Sequence, residues 1–390
     1  MKPLKTIYRR VVTALLAVIA SGGMAHADTG DKPRIDIYGF VQADFIYDFN
    51  RVDPAYTAGL RPSKIPVGDS NQVGKDGETI FSVRQTRFGV NGFIPTDMGE
   101  AKTKFEFDLF GIGADAGQTT IKLRHAYGEI GPFLAGQTYS LFMDADITPN
   151  TLDFWGPSGE ISFRTIQVRW TFLNEKGSKA AVALEAPGAS IDAGNTNVID
   201  PSLNVTSWNK YPDLIGNYRM DGNWGHFQAA GILRWLGYNS TDGSVSGHQT
   251  GWGVDLSGSI HAVGKDHVLL QVAYGDGIAN YFVDGGVDLA PRSMTGGAEA
   301  APILGLVLYY DRYWNDKWNS VIGFSETHQH NTGGQLPNAF HEGDYASVSL
   351  LHNPAKNVMV GGEFLWGRLE DNSTGSATDS RVQFSTKFTF

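Results

Sequence analysis

The 390-residue chain has no cysteine. A chain without cysteine has no disulfide framework and must be held by backbone hydrogen bonds and packing. After its first residues the chain also lacks any apolar run of 18, which excludes a membrane-spanning helix. There is no G-x-S-x-G, no H-E-x-x-H and no conspicuous His/Ser pair, so a lipase or protease is not indicated and the chain reads as a non-enzyme. Positive charge is scarce, with 31 basic residues against 41 acidic ones, and this balance argues against a nucleic-acid partner.

Residues 1–27 have the form of a secretory signal. Lys2, Lys5, Arg9 and Arg10 make a positive start, Val11 to Ala20 is a short apolar stretch, and Ala25-His26-Ala27 fits the small-residue cleavage pattern. A ten-residue stretch is too short to span ~30 Å of hydrocarbon as a helix. Cleavage after Ala27 leaves 363 residues beginning at Asp28. The leader holds four of the basic residues and no acid, so the mature chain has 27 against 41, a net charge of −14. No second domain, linker or internal repeat interrupts 28–390.

What the chain does have is a two-residue period. Phe390, Phe388, Thr386, Phe384 and Val382 share one face, and Thr389, Lys387, Ser385, Gln383 and Arg381 the other. This pattern fits a strand with lipid on one side and water on the other. The first strand, about 34–49, sets Ile35, Ile37, Val41, Phe45 and Tyr47 against Asp36, Gln42, Asp44 and Asp48. The third alternates Ala101, Thr103, Phe105, Phe107 and Leu109 with Lys102, Lys104, Glu106 and Asp108. The sixth alternates Ile166, Val168, Trp170 and Phe172 with Thr165, Gln167, Arg169 and Thr171. A lipid-facing Lys or Arg at mid-bilayer costs roughly 2–4 kcal/mol, so the charges fix which face is which. Mean hydropathy is slightly negative because half of each strand faces water. Residues 121–130 alternate poorly.

Seven short turns carry Gly, Pro, Asn, Asp or Lys: Pro95–Gly99, Gly131-Pro132, Asn174–Gly177, Asp221–Gly225, Val263–Asp266, Asn315–Lys317 and Asn353–Lys356. Eight longer segments lie between them, at about 50–78, 111–118, 140–160, 187–211, 237–250, 275–301, 327–343 and 368–378. The expected fold is all-β, a sixteen-stranded antiparallel transmembrane barrel with short periplasmic turns and long extracellular loops. Counts of 14 and 18 strands stay open at this point. A barrel of that size leaves a water-filled channel, while an active-uptake receptor needs 22 strands and a plug, which 363 residues cannot supply.

The third loop, 140–160, mixes Asp144, Asp146, Asp153 and Glu160 with Phe142, Phe154 and Trp155. So many large apolar residues are expected to fold the loop into the lumen and leave its carboxylates facing the channel. Neighbouring strands supply Arg84, Arg87, Lys102, Lys104, Lys122, Arg124, Arg164 and Arg169. Basic residues opposite an acidic loop would set a transverse field across a constriction, and rings of basic side chains favour anions. His328, His330 and His341 fall in the seventh loop without an obvious carboxylate set, so they read as solvent-facing, and neither a metal nor a cofactor is expected.

The segments IYGFVQADFIYDF (37–49), RQTRFGVNG (84–92), LRHAYGEIGPFLAGQTYSLFMD (123–144), NTLDFWGPSG (150–159) and IQVRWTF (166–172) resemble the DcaP-like outer-membrane porins. The resemblance is strongest over 34–172. It implies a sixteen-stranded homotrimer in the outer membrane of a Gram-negative bacterium, surrounded by outer-membrane lipid. It further implies a third loop narrowing each channel and passage of small anionic solutes, dicarboxylates among them. By matching position, Arg87, Lys104, Arg124 and Arg169 become wall residues, and Asp144, Asp146 and Asp153 loop residues. Phe390 stands where most outer-membrane barrels carry their terminal assembly signal. Some members have a periplasmic helical extension, whereas here six residues separate Ala27 from the first strand. The competing reading is a structural or adhesin barrel with an occluded lumen.

Overall fold

The two-residue alternation of the sequence becomes a closed sheet in the computed structural model, which describes residues 32–390 apart from 69–72, 112–119, 195–204, 241–242, 244 and 294–296. The leader 1–27 and most of the second loop lie outside the described residues. Sixteen antiparallel strands make the wall. The first eight are β1 (Arg34–Asp48), β2 (Arg87–Thr96), β3 (Gly99–Asp108), β4 (Lys122–Ile130), β5 (Phe133–Tyr139), β6 (Arg164–Glu175), β7 (Ser178–Glu185) and β8 (Asp213–Gly222). The second eight are β9 (Gly225–Ser240), β10 (Ser246–His261), β11 (His267–Asp276), β12 (Pro302–Tyr313), β13 (Trp318–Gln329), β14 (Phe340–Ala355), β15 (Val358–Asp371) and β16 (Ser376–Thr389).

Each strand pairs with the next, and β16 returns to β1 with Phe388 opposite Val41 and Phe384 opposite Phe45. That pairing removes the sheet edge, so the backbone donors and acceptors are satisfied inside the wall. Short strands Glu78–Ser82 and Val205–Trp208 extend the wall beside the upper parts of β1 and β9.

The faces follow the alternation. Ile166, Val168, Trp170 and Phe172 are exposed on the outside, whereas Thr165 and Gln167 are buried inside. On β1, Ile35, Ile37, Val41 and Phe45 are exposed, while Gln42, Asp44 and Asp48 are buried. Such a continuous apolar belt exceeds what a water-soluble monomer presents and suits hydrocarbon. No helix of the described residues is long and apolar enough to cross a membrane.

All seven short turns are present on one rim. Gly177 (φ 80°) supplies the left-handed residue of one, and the last lies at Lys356-Asn357, slightly beyond the expected 353–356, with Asn357 (φ 65°) left-handed. The opposite rim departs from expectation in three places. The segments 237–250 and 368–378 are largely strand, because pairing continues outward through Tyr238 with Gly247 and Arg368 with Thr378. The seventh loop shrinks to 330–339, between Gln329 and Phe340. Beyond the hydrocarbon edge both faces of a strand are wet, so the alternation that marks strands in the sequence disappears while the hydrogen bonds persist.

Candidate pore constriction

The third loop leaves β5 at Tyr139 and rejoins the wall at Arg164, folding into the barrel between them. Leu141, Phe142, Met143, Ile147, Leu152 and Ile161 are all buried. The first three and Ile161 pack with Ile215, Ile232, Tyr281, Phe282 and Ile303 from the far wall and the sixth loop. Leu152 packs with Leu351 and Met359. Burying a side chain of this size contributes about 1.5–3 kcal/mol, which holds the loop inside without any covalent tie. Gly159 lies where the loop crosses the wall. A Cβ there would sit 2.1 Å from the Glu326 carbonyl oxygen and 2.7 Å from that of Leu306, so only glycine fits.

Of the four carboxylates expected to face the lumen, Asp144 and Asp153 are turned to the wall and Glu160 is buried against its own loop. Asp144 accepts from Ser257 Oγ at 2.8 Å and lies 2.8 Å from His226 Nε2. Asp153 accepts from the Leu60 and Gly156 amides and from the Tyr345 hydroxyl. Glu160 accepts from the Thr148 hydroxyl. Only Asp146 remains open, with its side chain 63% exposed, and it pairs with Arg219 at 2.7 Å. Loop and wall have amide and hydroxyl donors to satisfy once water is excluded, and these carboxylates supply the acceptors. Glu363, from β15, does the same by accepting from the Leu152 and Asp153 amides, each at 2.8 Å. Gln85 and Gln383 both donate to the Leu152 carbonyl. The loop therefore packs on the inner wall from β8 round to β16 and leaves the inner faces of β2 to β6 largely uncovered.

That remaining wall is basic. A bulge opposite Glu106 and Phe107 inserts Arg124 as an extra residue of β4, so Arg124 and His125 both turn inward. This accounts for the poor alternation of 121–130. Arg124 donates to Glu106 at 2.7 Å, to Asp108 at 2.9 Å and to the Tyr139 hydroxyl at 3.3 Å. Arg87 and Lys104 stand farther from Glu106, at 3.8 and 3.9 Å. Arg169 donates to the Gln167 side chain and the Tyr139 carbonyl. Arg164 lies over the Tyr139 ring, 5.5 Å from its centroid. Lys122 lies 5.2 Å from Phe154 and 5.0 Å from Trp155 at the loop tip. The charges of Lys122, Arg124 and Arg164 are close enough to repel one another.

Two expected residues stand apart. Arg84 lies in the bend before β2 rather than in a strand, donating to the Gly111 carbonyl and stacked over Phe110. Lys102 is half exposed and pairs with Glu129 near the short-turn rim. Sequence reasoning missed two others. Lys387 of β16 and Arg87 approach the Phe40 ring from 5.3 and 5.2 Å; the two-residue period had already put Lys387 on the water face. Arg61, from the first loop, pairs with Asp284 of the sixth at 2.8 Å and lies over Trp155 at 4.5 Å. No periodicity in the sequence signals that these two loops fold in over the mouth.

Phe390 closes the ring. Its amide donates to the Gly39 carbonyl at 3.0 Å, and its ring lies 6.4 Å from that of Phe88 on the outer face.

The structure is similar to that of the outer-membrane channel DcaP of Acinetobacter baumannii, with a TM-score of 0.78 at 18% identity over 94% of this chain and 100% of that one. It is also similar to an anion-selective porin from Comamonas acidovorans, with a TM-score of 0.59 at 12% identity, covering 92% and 100%. A trimer form of Vibrio cholerae OmpT matches with a TM-score of 0.55 at 11% identity, covering 92% and 100%. No curated protein sequence matches the chain. The family model of the DcaP outer membrane protein matches residues 22–390, nearly the whole length, and the chain belongs to that family of outer-membrane channel proteins.

Proposed function

We propose that the protein is a passive diffusion porin that favours small hydrophilic anions, short dicarboxylates among them, and works as a homotrimer. The charge balance at the narrowing carries this reading. Arg87, Lys104, Lys122, Arg124, Arg164 and Arg169 stand on one wall, with Glu106 and Asp108 among them and Glu129 and Glu185 beside Arg169, so among the described residues the bases outnumber the acids. The acids of the third loop do little to offset them, because Asp144 and Asp153 are bonded to the opposite wall and Glu160 is bonded within the loop to Thr148. Screening acts over ~8 Å at physiological ionic strength, so a narrow opening keeps much of this field. Arg87 with Lys104, and Lys122 with Arg164, offer two groups of charge to a solute with two anionic ends. Solutes move down their gradient, so transport itself needs no cofactor. The similarity to an anion-selective porin supports the ionic preference, and the OmpT trimer form supports the assembly.

The test is the reversal potential of the refolded protein in a planar bilayer under a KCl gradient. A value toward the chloride potential is expected. A value toward the potassium potential overturns the anion preference, and no conductance overturns the porin in favour of an occluded barrel. Competition of a short dicarboxylate with chloride current, stronger than that of a monocarboxylate, is expected for the substrate class. Cross-linking in mild detergent should give trimers, and the mass of the exported chain should begin at Asp28.

A further inference from the structure

The outer wall carries a second charged constellation at the extracellular rim. Ile322 of β13, Val348 and Leu350 of β14 and Phe364 of β15 are exposed and form part of the apolar belt. Above them Phe324, Ala346 and Trp366 lie side by side across the three strands. The next outward-facing row is Glu326, Asp344 and Arg368, and the row after it His328, Glu342 and Glu370. Strand alternation keeps all six on the lipid side rather than in the channel.

Arg368 contacts three of the four carboxylates. It donates to Glu342 Oε1 at 2.8 Å and to Asp344 at 3.2 Å, and it pairs with Glu370. The Glu326 side chain makes no hydrogen bond or ion pair among the described residues. Four carboxylates and one guanidinium leave a surplus of three negative charges where the hydrocarbon ends. The second oxygen of Glu342 faces His328 Nδ1 at 3.2 Å. One donor atom each from Glu326, His328 and Glu342 lie within 4.8 Å of one another. An ion with bonds of roughly 2.0–2.6 Å can reach all three from between them.

We propose that Glu326, His328 and Glu342 bind a divalent metal ion on the lipid-facing side of the extracellular rim, with Arg368 positioning Glu342 through its other oxygen. Two carboxylates and one imidazole suit a cation that accepts both oxygen and nitrogen, of the Mn²⁺ or Zn²⁺ class. The imidazole binds in its neutral form through the nitrogen that faces Glu342. The ion supplies the missing counter-charge and ties β13 to β14 just below the seventh loop. The histidines were visible in the sequence, but the carboxylates beside His328 come from two positions up its own strand and from the neighbouring strand.

The test is a Mn²⁺ titration of the full-length refolded protein in dodecyl maltoside, read by electron paramagnetic resonance. One saturable site per chain is expected. E326Q/E342Q and H328N should each weaken it by about tenfold or more. Absence of saturable binding, including the case in which a second copy covers the patch, overturns the proposal, as does equal affinity in wild type and variants. E326Q alone removes no bond of the folded barrel, so its affinity is decisive if the double variant misfolds. Because the set faces away from the channel, E326Q/E342Q should leave conductance and ion preference unchanged, which separates this site from the anion-porin reading.

Discussion

Neutralising Lys122 and Arg164 together should lower anion preference without disturbing the barrel. Neither forms an ion pair among the described residues, and both lie against aromatic rings instead. Arg124 is the worse target because it holds Glu106 and Asp108. Its loss would leave buried charges unpaired at about 3–5 kcal/mol. A unit charge about 6 Å from a permeating ion acts with about 0.7 kcal/mol in water, and an ~8 Å screening length leaves about 0.3 kcal/mol. Two such charges give about 0.6 kcal/mol, lost by chloride and gained by potassium, so the chloride-to-potassium permeability ratio should fall by about sevenfold. The assay is the reversal potential of K122Q/R164Q beside wild type under one KCl gradient. An unchanged ratio would refute the basic wall as the selectivity element, even if wild type prefers anions.

Deleting residues 145–156 removes the loop tip with Asp153 and Leu152, and single-channel conductance should rise; equal conductance would mean that the third loop is not the constriction. Burial pushes the Glu160 carboxyl from an ordinary 4.5 up to about 8. A raised acid stabilises the fold while it keeps its proton, so that contribution is complete below the unfolded value and lost as pH rises through the folded one. The melting temperature should therefore decline from about pH 4.5 to about pH 8, and E160Q should flatten that decline; an identical profile in E160Q would remove Glu160 as the cause. Phe390→Ala deletes the ring against Phe88 but keeps the backbone bond to Gly39, and less folded barrel should reach the outer membrane. An unaltered yield would take away the assembly role of the terminal residue.

The period of two in 34–49, 101–109, 165–172 and 382–390 determined the class of fold and the lipid face, while the count of sixteen, expected from the turns and loops beside 14 and 18, was decided by the closed sheet. A one-residue slip would put charge in hydrocarbon, so the register is written in the chain itself. The apolar residues of 140–160 likewise announced a loop that folds inward. Tertiary structure decided where its carboxylates point. Asp144, Asp153 and Glu160 meet donors contributed by His226, Ser257, Leu60 and Thr148, and no local pattern reveals such partners. It also decided the aim of Arg124, which depends on a bulge defined only against Glu106 and Phe107. The meeting of Glu326, His328 and Glu342 is of the same kind. Alternation is a property of one strand and survives in the sequence, whereas a site assembled across strands and loops exists only once the sheet has closed.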